Sequence, residues 1–188
     1  MSTGNPIHLL THEHKYILKV VHGLSVIDDA LAGGQQPDLE RVRAIVAFMR
    51  DFADKCHHAK EEAILFPAME IKGVPPTGCP LEGLRREHAK GRELVGALAT
   101  AADACAQGDR DAAAAMRSAI GGIQQLYPNH IWKEDEMVFP MVERLFSPDE
   151  LEAMGQQFDQ AEEALGQDHD HYVRFADEMA ALLGQAPD

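Results

Sequence analysis

The chain has 188 residues, 45% of them hydrophobic, which suits one well-packed domain and is too short for two of ordinary size. Its formal net charge of −14 at pH 7 argues against nucleic acid and against an anionic membrane surface as partners. No apolar run reaches the roughly 20 residues of a membrane helix, so we expect no membrane span.

The first two predicted elements are helices that form a hairpin. From Pro6 onward, apolar residues recur at steps of three and four, which predicts an amphipathic helix. The stretch "GGQQPD" at 33–38 ends this helix, because glycine and proline favour turns. Asp38 is a suitable N-cap for a second helix, whose apolar face runs as far as His57.

The following elements repeat this pattern. The loop "KGVPPTGCP" at 72–80 leads into a third predicted helix over about residues 80–107. Gly108 marks its end, and a fourth helix follows to about residue 146. The stretch "SPDE" at 147–150 is a capping box with proline at the first helical position, so we expect a C-terminal helical stretch after it.

The first 146 residues contain an internal repeat. The stretches "HHAKEEAILFPAME" at 57–70 and "HIWKEDEMVFPMVE" at 130–143 share the pattern H-x-x-K-E-[ED]-x-x-[LV]-F-P-x-x-E at a spacing of 73 residues. Upstream, "PIHLLTHEH" ending at His14 matches "PLEGLRREH" ending at His88. We interpret residues 6–71 and 80–146 as two copies of one helix hairpin.

A single helix hairpin cannot bury its apolar face alone, so the two copies are expected to close on each other. The sequence therefore predicts an all-α fold: a four-helix bundle over residues 1–146, with residues 147–188 as a C-terminal helical extension packed on it. Pro67 and Pro140 fall inside the helical pattern, and we expect a kink or a helix end just past each motif.

Each copy places a histidine and a glutamate four residues apart, and such a pair points in one direction on a helix. Each copy adds one histidine from its first helix. If the copies pair about a pseudo-two-fold axis, these side chains converge at the bundle centre, as in dinuclear carboxylate sites. The predicted metal ligands are His14, His57, Glu61, His88, His130 and Glu134.

Counting these ligands indicates the chemistry. If both glutamates bridge two irons, each iron has two carboxylate oxygens and two imidazoles, and an oxo or hydroxo bridge adds a fifth donor. One position stays open on each iron for dioxygen, peroxide or nitric oxide. Mixed imidazole and carboxylate donors favour iron or manganese, and zinc is less suited because its structural sites are closed and four-coordinate.

Two further side chains are candidates for the same site. His58 follows His57, so a regular helix turns it away, and the alternative is that His58 is the ligand instead. Tyr127 lies three residues before His130 and faces the same way. Its phenol could donate to a bound oxygen species or bind the metal, or the residue could simply pack at a helix kink.

Lys60 and Lys133 occupy matching positions in the two copies. They could orient a ligand or steer an anion, or they could extend into solvent, as lysines more often do. His22 lies eight residues after His14, and we expect it in the core or beside the ligands. The role of all these side chains in catalysis stays open.

The sequence resembles the hemerythrin-like, or HHE cation-binding, family over about residues 6–146. The resemblance rests on the Glu-His pairs that end in His14 and His88, and on the H-x-x-x-E-x-x-x-x-F-P blocks at 57 and 130. It implies an up-down four-helix bundle with a non-heme di-iron centre, held by the six ligands named above. The oxygen-carrying hemerythrins use five histidines, whereas this chain matches four, as in di-iron proteins of the iron–sulfur-cluster repair type.

We therefore expect a di-iron protein that acts on peroxide, oxygen or nitric oxide, or in iron or iron–sulfur repair under oxidative stress, with a redox partner still to be identified. The alternative is non-catalytic oxygen or iron binding, storage or sensing. Whether the protein is an enzyme, and its oligomeric state, stay open. The three cysteines form no C-x-x-C pair, and no signal peptide is evident, so a cytoplasmic location is expected.

Overall fold

The computed structural model describes residues 5–166 and 169–184, and all regular elements in these residues are helices. The first hairpin consists of α1 (Pro6–Ala32) and a long second helix. That second helix is made of α2 (Leu39–Phe48), the π-helical segments π1 (Met49–His58) and π2 (Glu61–Leu65), and α3 (Phe66–Ile71).

The second hairpin has the same plan. It consists of α4 (Leu81–Ala106) and a long helix made of α5 (Ala112–Lys133), the π-helical segment π3 (Glu134–Val138) and α6 (Phe139–Leu145). Two helices follow, α7 (Pro148–Leu165) and α8 (His169–Ala181). The fold is thus all-α: an up-down four-helix bundle built from two hairpins, with a C-terminal helical extension.

Two predicted helix starts are confirmed by their hydrogen bonds. The Asp38 side chain accepts from the backbone nitrogen of Arg41 at 3.0 Å and caps α2. Ser147 and Glu150 form the predicted capping box at the start of α7, each side chain binding the other's backbone nitrogen. Gly166, in the left-handed conformation at φ 58°, ends α7.

The two motif prolines follow π-helical turns. Pro67 is the second residue of α3, directly after π2, and Pro140 is the second residue of α6, directly after π3. A proline lacks the N–H that continues an α-helix and crowds the carbonyl four residues back, and the wider π turn accommodates both effects. Each helix then ends just past its motif, at Ile71 and at Leu145, as the sequence predicts.

The core has two apolar clusters, and the predicted ligands lie between them. On α1, His14 separates Leu10 of the smaller cluster from Ile17 of the larger one. On α4, His88 stands between Leu84 and Val95 in the same way. The bundle therefore encloses a polar layer between two apolar ones.

The C-terminal extension packs on the first hairpin. Lys19 of α1 donates to Asp177 of α8 at 3.0 Å, and the rings of Tyr172 and Phe175 contact Phe48. Helix α6 ends at Leu145 and α7 begins at Pro148, and the division into bundle and extension at residues 146 and 147 stays a prediction. Residues 1–4, 167–168 and 185–188 of the predicted ranges lie outside the described residues.

His22 does not lie where the sequence analysis placed it, because its side chain is exposed. Eight residues of an α-helix leave an offset of roughly 80° from the starting face, which is enough to move His22 from the core side of α1 to its outer side. Among the helices of residues 5–166 and 169–184, none is long and apolar enough to cross a bilayer.

Gly23 sets how closely α8 approaches α1. A Cβ atom at Gly23 would lie 2.4 Å from Cε and 3.1 Å from Cβ of Met179. We expect Gly23→Val to lower the free energy of unfolding by about 1–3 kcal/mol through overpacking. Gly121→Ala, in an open part of α5, is the control and is expected to raise it by about 0.5–1 kcal/mol. Urea unfolding followed by circular dichroism measures both, and equal stabilities of Gly23→Val and wild type would show that α8 docks differently.

Candidate metal centre

The structure brings all six predicted ligands together in the buried polar layer, where each is at most 3% exposed. Each of the four bundle helices supplies one histidine, and each of the two long second helices adds one glutamate four residues after its histidine. The residues are His14 on α1, His57 and Glu61 on π1 and π2, His88 on α4, and His130 and Glu134 on α5 and π3. Ligation by these residues stays a prediction, but their convergence is a feature of the fold.

Each glutamate contacts imidazoles of both hairpins. Glu134 carboxylate oxygens lie 3.2 Å from Nε2 of His14, 3.2 Å from Nε2 of His130 and 3.7 Å from Nε2 of His88. Glu61 oxygens lie 3.4 Å from Nε2 of His88 and 3.7 Å from Nε2 of His57. This is the placement that a carboxylate needs to bridge two metal ions held by different hairpins.

The opposite nitrogen of each imidazole pairs with a carboxylate that the sequence analysis missed. Within each hairpin, Nδ1 of the histidine on the second helix contacts a glutamate on the first helix. This glutamate directly precedes the histidine of the first helix in the sequence. Across the hairpins, Nδ1 of the first-helix histidine contacts the acidic residue after the motif glutamate. The four pairs are His57–Glu13 at 2.8 Å, His130–Glu87 at 3.0 Å, His88–Glu62 at 2.7 Å and His14–Asp135 at 2.8 Å.

These outer carboxylates decide which nitrogen is free. An imidazole that donates its Nδ1–H to a carboxylate has the lone pair of Nε2 available, and this partner also fixes the ring orientation and raises ligand basicity. The signal was present in the sequence, because the Glu-His pairs and the acidic residues after Glu61 and Glu134 repeat with the ligands.

Most polar atoms on the inner face of the cluster lack hydrogen bonds, an exception being Nε2 of His14 and Nε2 of His57, which lie 3.0 Å apart. In the part of the chain that the structure describes, every buried side-chain nitrogen or oxygen without a hydrogen-bond partner belongs to this site. These atoms are both carboxylate oxygens of Glu61 and of Glu134, Nε2 of His88 and of His130, and Nδ1 of His58. Buried polar atoms without partners are costly, so a shared ligand is expected to satisfy them.

The charges indicate what that ligand is. Burial and the neighbouring charge of Glu134 raise the pKa of Glu61 well above its usual range. Burial also tends to raise the pKa of Glu134. The charges of His130 and His14 outweigh this effect, and the pKa of Glu134 is lowered. Two such carboxylates can both be ionised in a dry core only if cations neutralise them. The donor set, imidazole and carboxylate without thiolate, fits a metal cation.

Lys60 and Lys133 bind the outer carboxylates, so the solvent-exposed alternative is wrong for Lys60. Lys60, 1% exposed, forms ion pairs with Glu13 and with Glu162 of α7. Lys133, 42% exposed, pairs with Glu87. Burial alone would raise the pKa of Glu13. Its hydrogen bond with His57 and the charge of Lys60 outweigh this effect and lower the pKa to about 2. Lys60 thus keeps Glu13 ionised as the partner of His57.

His58 is not turned away from the site, contrary to the prediction. It is 2% exposed, and its ring stacks on the ring of His88 with the centroids 3.9 Å apart. The prediction assumed the turn of a regular α-helix, whereas His57 and His58 end π1, where the wider turn lets both face inward.

Tyr127 is a packed residue beside His58. Its ring lies nearly parallel to that of His58 at 6.2 Å, and its hydroxyl reaches the backbone of Gly91, where a Cβ atom would lie 2.9 Å from the hydroxyl oxygen. Burial raises the pKa of the phenol. These contacts fit the packing alternative rather than a metal ligand.

Another group of possible metal donors lies outside the polar layer and consists of Cys56, Glu162 and His169. The ammonium of Lys60 already occupies this position, because it pairs with Glu162 and lies 3.7 Å from the sulfur of Cys56. Burial raises the pKa of the Cys56 thiol to about 12, so it is protonated at neutral pH. The lysine ammonium therefore supplies the positive charge of this group, and the group does not fit a metal ion.

Glu13→Gln and Glu87→Gln form a matched pair that tests the buried ion pairs. The first variant removes a charge that faces the buried Lys60, and we expect it to lower the free energy of unfolding by about 3–5 kcal/mol. The second removes the charge that faces the half-exposed Lys133, and at most about 1 kcal/mol is expected. Urea unfolding at a fixed metal load compares the two, and equal losses would mean that burial of Lys60 is not what makes Glu13 important.

Comparison with known proteins agrees with this geometry. A family profile described as Hemerythrin HHE cation binding domain matches residues 5–142, and it matches a second time over residues 79–187. Searches among curated proteins and among solved structures found no match. The first match spans both hairpins and includes all six predicted ligands. The chain therefore belongs to the hemerythrin HHE cation-binding domain family.

Proposed function

We propose that the protein holds a non-heme di-iron centre and that its ligand is a small oxidant: hydrogen peroxide, dioxygen or nitric oxide. The observation that carries the proposal is that Glu61 and Glu134 each contact imidazoles of both hairpins in a fully buried layer. His14 and His57 would hold one iron, His88 and His130 the other, and the two glutamates both of them. An iron pair supplies two-electron redox chemistry.

The surrounding side chains restrict what can reach such a centre. The six donors are almost completely buried, and the rings of Phe139 and Phe66 stack on His14 and on His88. Water is therefore scarce at the site, and a ligand of two or three heavy atoms fits the limited access better than a larger substrate. With the ions bound, the outer carboxylates would hold a proton at Nδ1 of each of the four imidazoles and leave Nε2 to face the ions.

Turnover of the oxidant is favoured by one difference between the hairpins. Reduction of peroxide to water consumes protons, and Lys133 and Glu87, both partly exposed, link solvent to His130 through polar contacts.

The second candidate function is non-catalytic oxygen or iron binding, storage or sensing. It is favoured by the nearly complete burial of the ligands, which limits exchange.

The proposal also includes iron–sulfur repair and a role in oxidative stress. It further includes a separate redox partner, because an iron pair that reduces an oxidant must be reduced again. The three cysteines are free, which is typical of proteins in a reducing compartment and supports a cytoplasmic setting.

The protein as purified is expected to contain about two metal ions per chain, as the bridging role of the two glutamates requires. Glu61→Ala combined with Glu134→Ala is expected to lose most of this metal. Glu136→Ala removes an exposed carboxylate of the same segment and is the control that should keep it. Metal analysis with an absorption spectrum measures the content and separates iron from zinc, and full retention in the double variant would disprove bridging by these residues.

Oxidant chemistry is tested with the reduced, iron-loaded protein. We expect it to consume hydrogen peroxide and, when mixed with oxygen, to become oxidised without recovering under evacuation. Stopped-flow absorption followed by evacuation, together with a peroxide assay, measures both, with the double glutamate variant as blank. Recovery of the reduced form over many cycles without peroxide consumption would overturn turnover and favour storage.

A further inference from the structure

The outer face of the first hairpin is covered by the C-terminal extension. On this face Gly23 lies against Met179 of α8, and the rings of Phe48 and Phe52 contact the aromatic rings of α8. Nearby, Lys60 pairs with a glutamate of α7. All four residues of the hairpin are buried as a result.

The same face of the second hairpin is open to solvent. At the repeat spacing of 73 or 74 residues, the four positions are occupied by Ala97, Gly121, Gln125 and Lys133. The first three are exposed and the lysine is partly exposed. Lys133 binds one carboxylate, whereas Lys60 binds two. The second hairpin therefore presents to solvent the surface that the first hairpin buries.

A groove with a volume of about 520 Å³ lies on this open face, between α4 and α5. It forms where large side chains of the first hairpin are replaced by smaller or polar ones. The counterparts of Met49 and Phe52 are Gly122 and Gln125, and both line the groove. Leu94 also lines it and packs against Gly122, where a Cβ atom would lie 2.5 Å from its Cδ2. The groove thus has an apolar part that can receive a side chain.

Trp132 lines the same groove and is 59% exposed. Its counterpart in the first hairpin is the small residue Ala59. Tryptophan is enriched in protein interfaces and among the residues that contribute most to binding. A large exposed ring beside a groove makes the face complementary to itself, which is what a two-fold symmetric contact between identical chains requires.

The charges on this face cancel. Lys133 pairs with Glu87, and Lys90 pairs with Glu93 at 2.9 Å. The whole chain carries a net charge of −14, so two copies repel each other in most orientations, and least where their facing charges sum to zero. A strongly charged partner would gain little from such a neutral face. The self-complementary shape and the neutral charge together favour a second copy of this chain as the occupant.

We propose that the open face of α4 and α5 is the interface of a two-fold symmetric homodimer, in which Trp132 of each copy packs into the groove of the other. Helix α5 has 22 residues and is therefore about 33 Å long. With α4 beside it, the face measures roughly 30 by 20 Å, which is of the order of the ~800 Å² that each partner buries in a stable interface.

The contact would shield Lys133 from solvent as α7 shields Lys60. Monomer and dimer would then differ in how far the polar contacts beside His130 reach solvent. Dimer formation does not require the proposed iron centre.

The test is analytical ultracentrifugation of the full chain at one fixed metal load, from low micromolar to millimolar concentration. Wild type is expected to pass from monomer to dimer. Trp132→Glu places a charge in the contact of each copy and should raise the dissociation constant of the dimer at least about tenfold. Ile71→Glu makes the same kind of change at a side chain of the first hairpin that is 86% exposed, and this control should leave the dissociation constant unchanged.

A measurement on wild type avoids any folding defect of the variants. Trp132 is the only tryptophan in the sequence, so its fluorescence reports the burial of this one side chain. Its emission should shift to shorter wavelength, and its quenching by acrylamide should fall, over the concentration range in which the dimer forms.

Four results would overturn the proposal. Wild type could stay monomeric throughout, which would leave the face to a different protein. A dimer could form without any change in the emission of Trp132, or it could survive Trp132→Glu with an unchanged dissociation constant. Finally, Ile71→Glu could weaken the dimer as much as Trp132→Glu, and the effect would then not be specific to this face.

Discussion

The structure depends on two carboxylates, Glu61 and Glu134, that face each other in the middle of the core without a hydrogen bond. Burial of two such charges is among the most expensive arrangements that a protein can contain. The surrounding groups offset this cost in successive layers. Imidazoles contact the carboxylates, outer carboxylates hold the imidazoles, and lysines bind two of the outer carboxylates. Such a layered site stabilises the fold fully only with the cation that it is built to hold.

The duplicated hairpin explains why the layers are so regular, and the rest of the chain explains where they differ. Glu13 and Glu87 play the same part in the two halves, and so do Lys60 and Lys133. The C-terminal extension packs against the first half, where Glu162 of α7 closes over Lys60 and Phe158 lies beneath it. The second half keeps its lysine and glutamate in contact with solvent. Two sites that began as copies therefore have different access to water and protons.

The convergence of the six candidate ligands could be predicted from the sequence because their spacing is short and appears twice. His57 and Glu61 are one helical turn apart, and this geometry hardly changes between α and π turns. The outer carboxylates were harder to predict, because a contact such as His88 with Glu62 joins different hairpins and depends on how the helices face each other. The predicted orientations of His58 and His22 were wrong for the same reason. The direction of a side chain depends on the angle accumulated along its helix. The π1 segment changes this angle at His58, and two turns of α1 change it at His22.

The same limit shows where the two halves differ in structure. A sequence repeat constrains the donors that both copies share, and these are divided evenly between the two hairpins. Any chemical difference between the two halves of the layer must then come from features that the repeat does not contain. The structure has two of them: the π1 segment that turns His58 towards His88, and the α7 helix whose Glu162 closes over Lys60. Polar contacts between solvent and the layer therefore run beside His130, through Lys133 and Glu87, whereas α7 closes over the corresponding lysine on the side of His57.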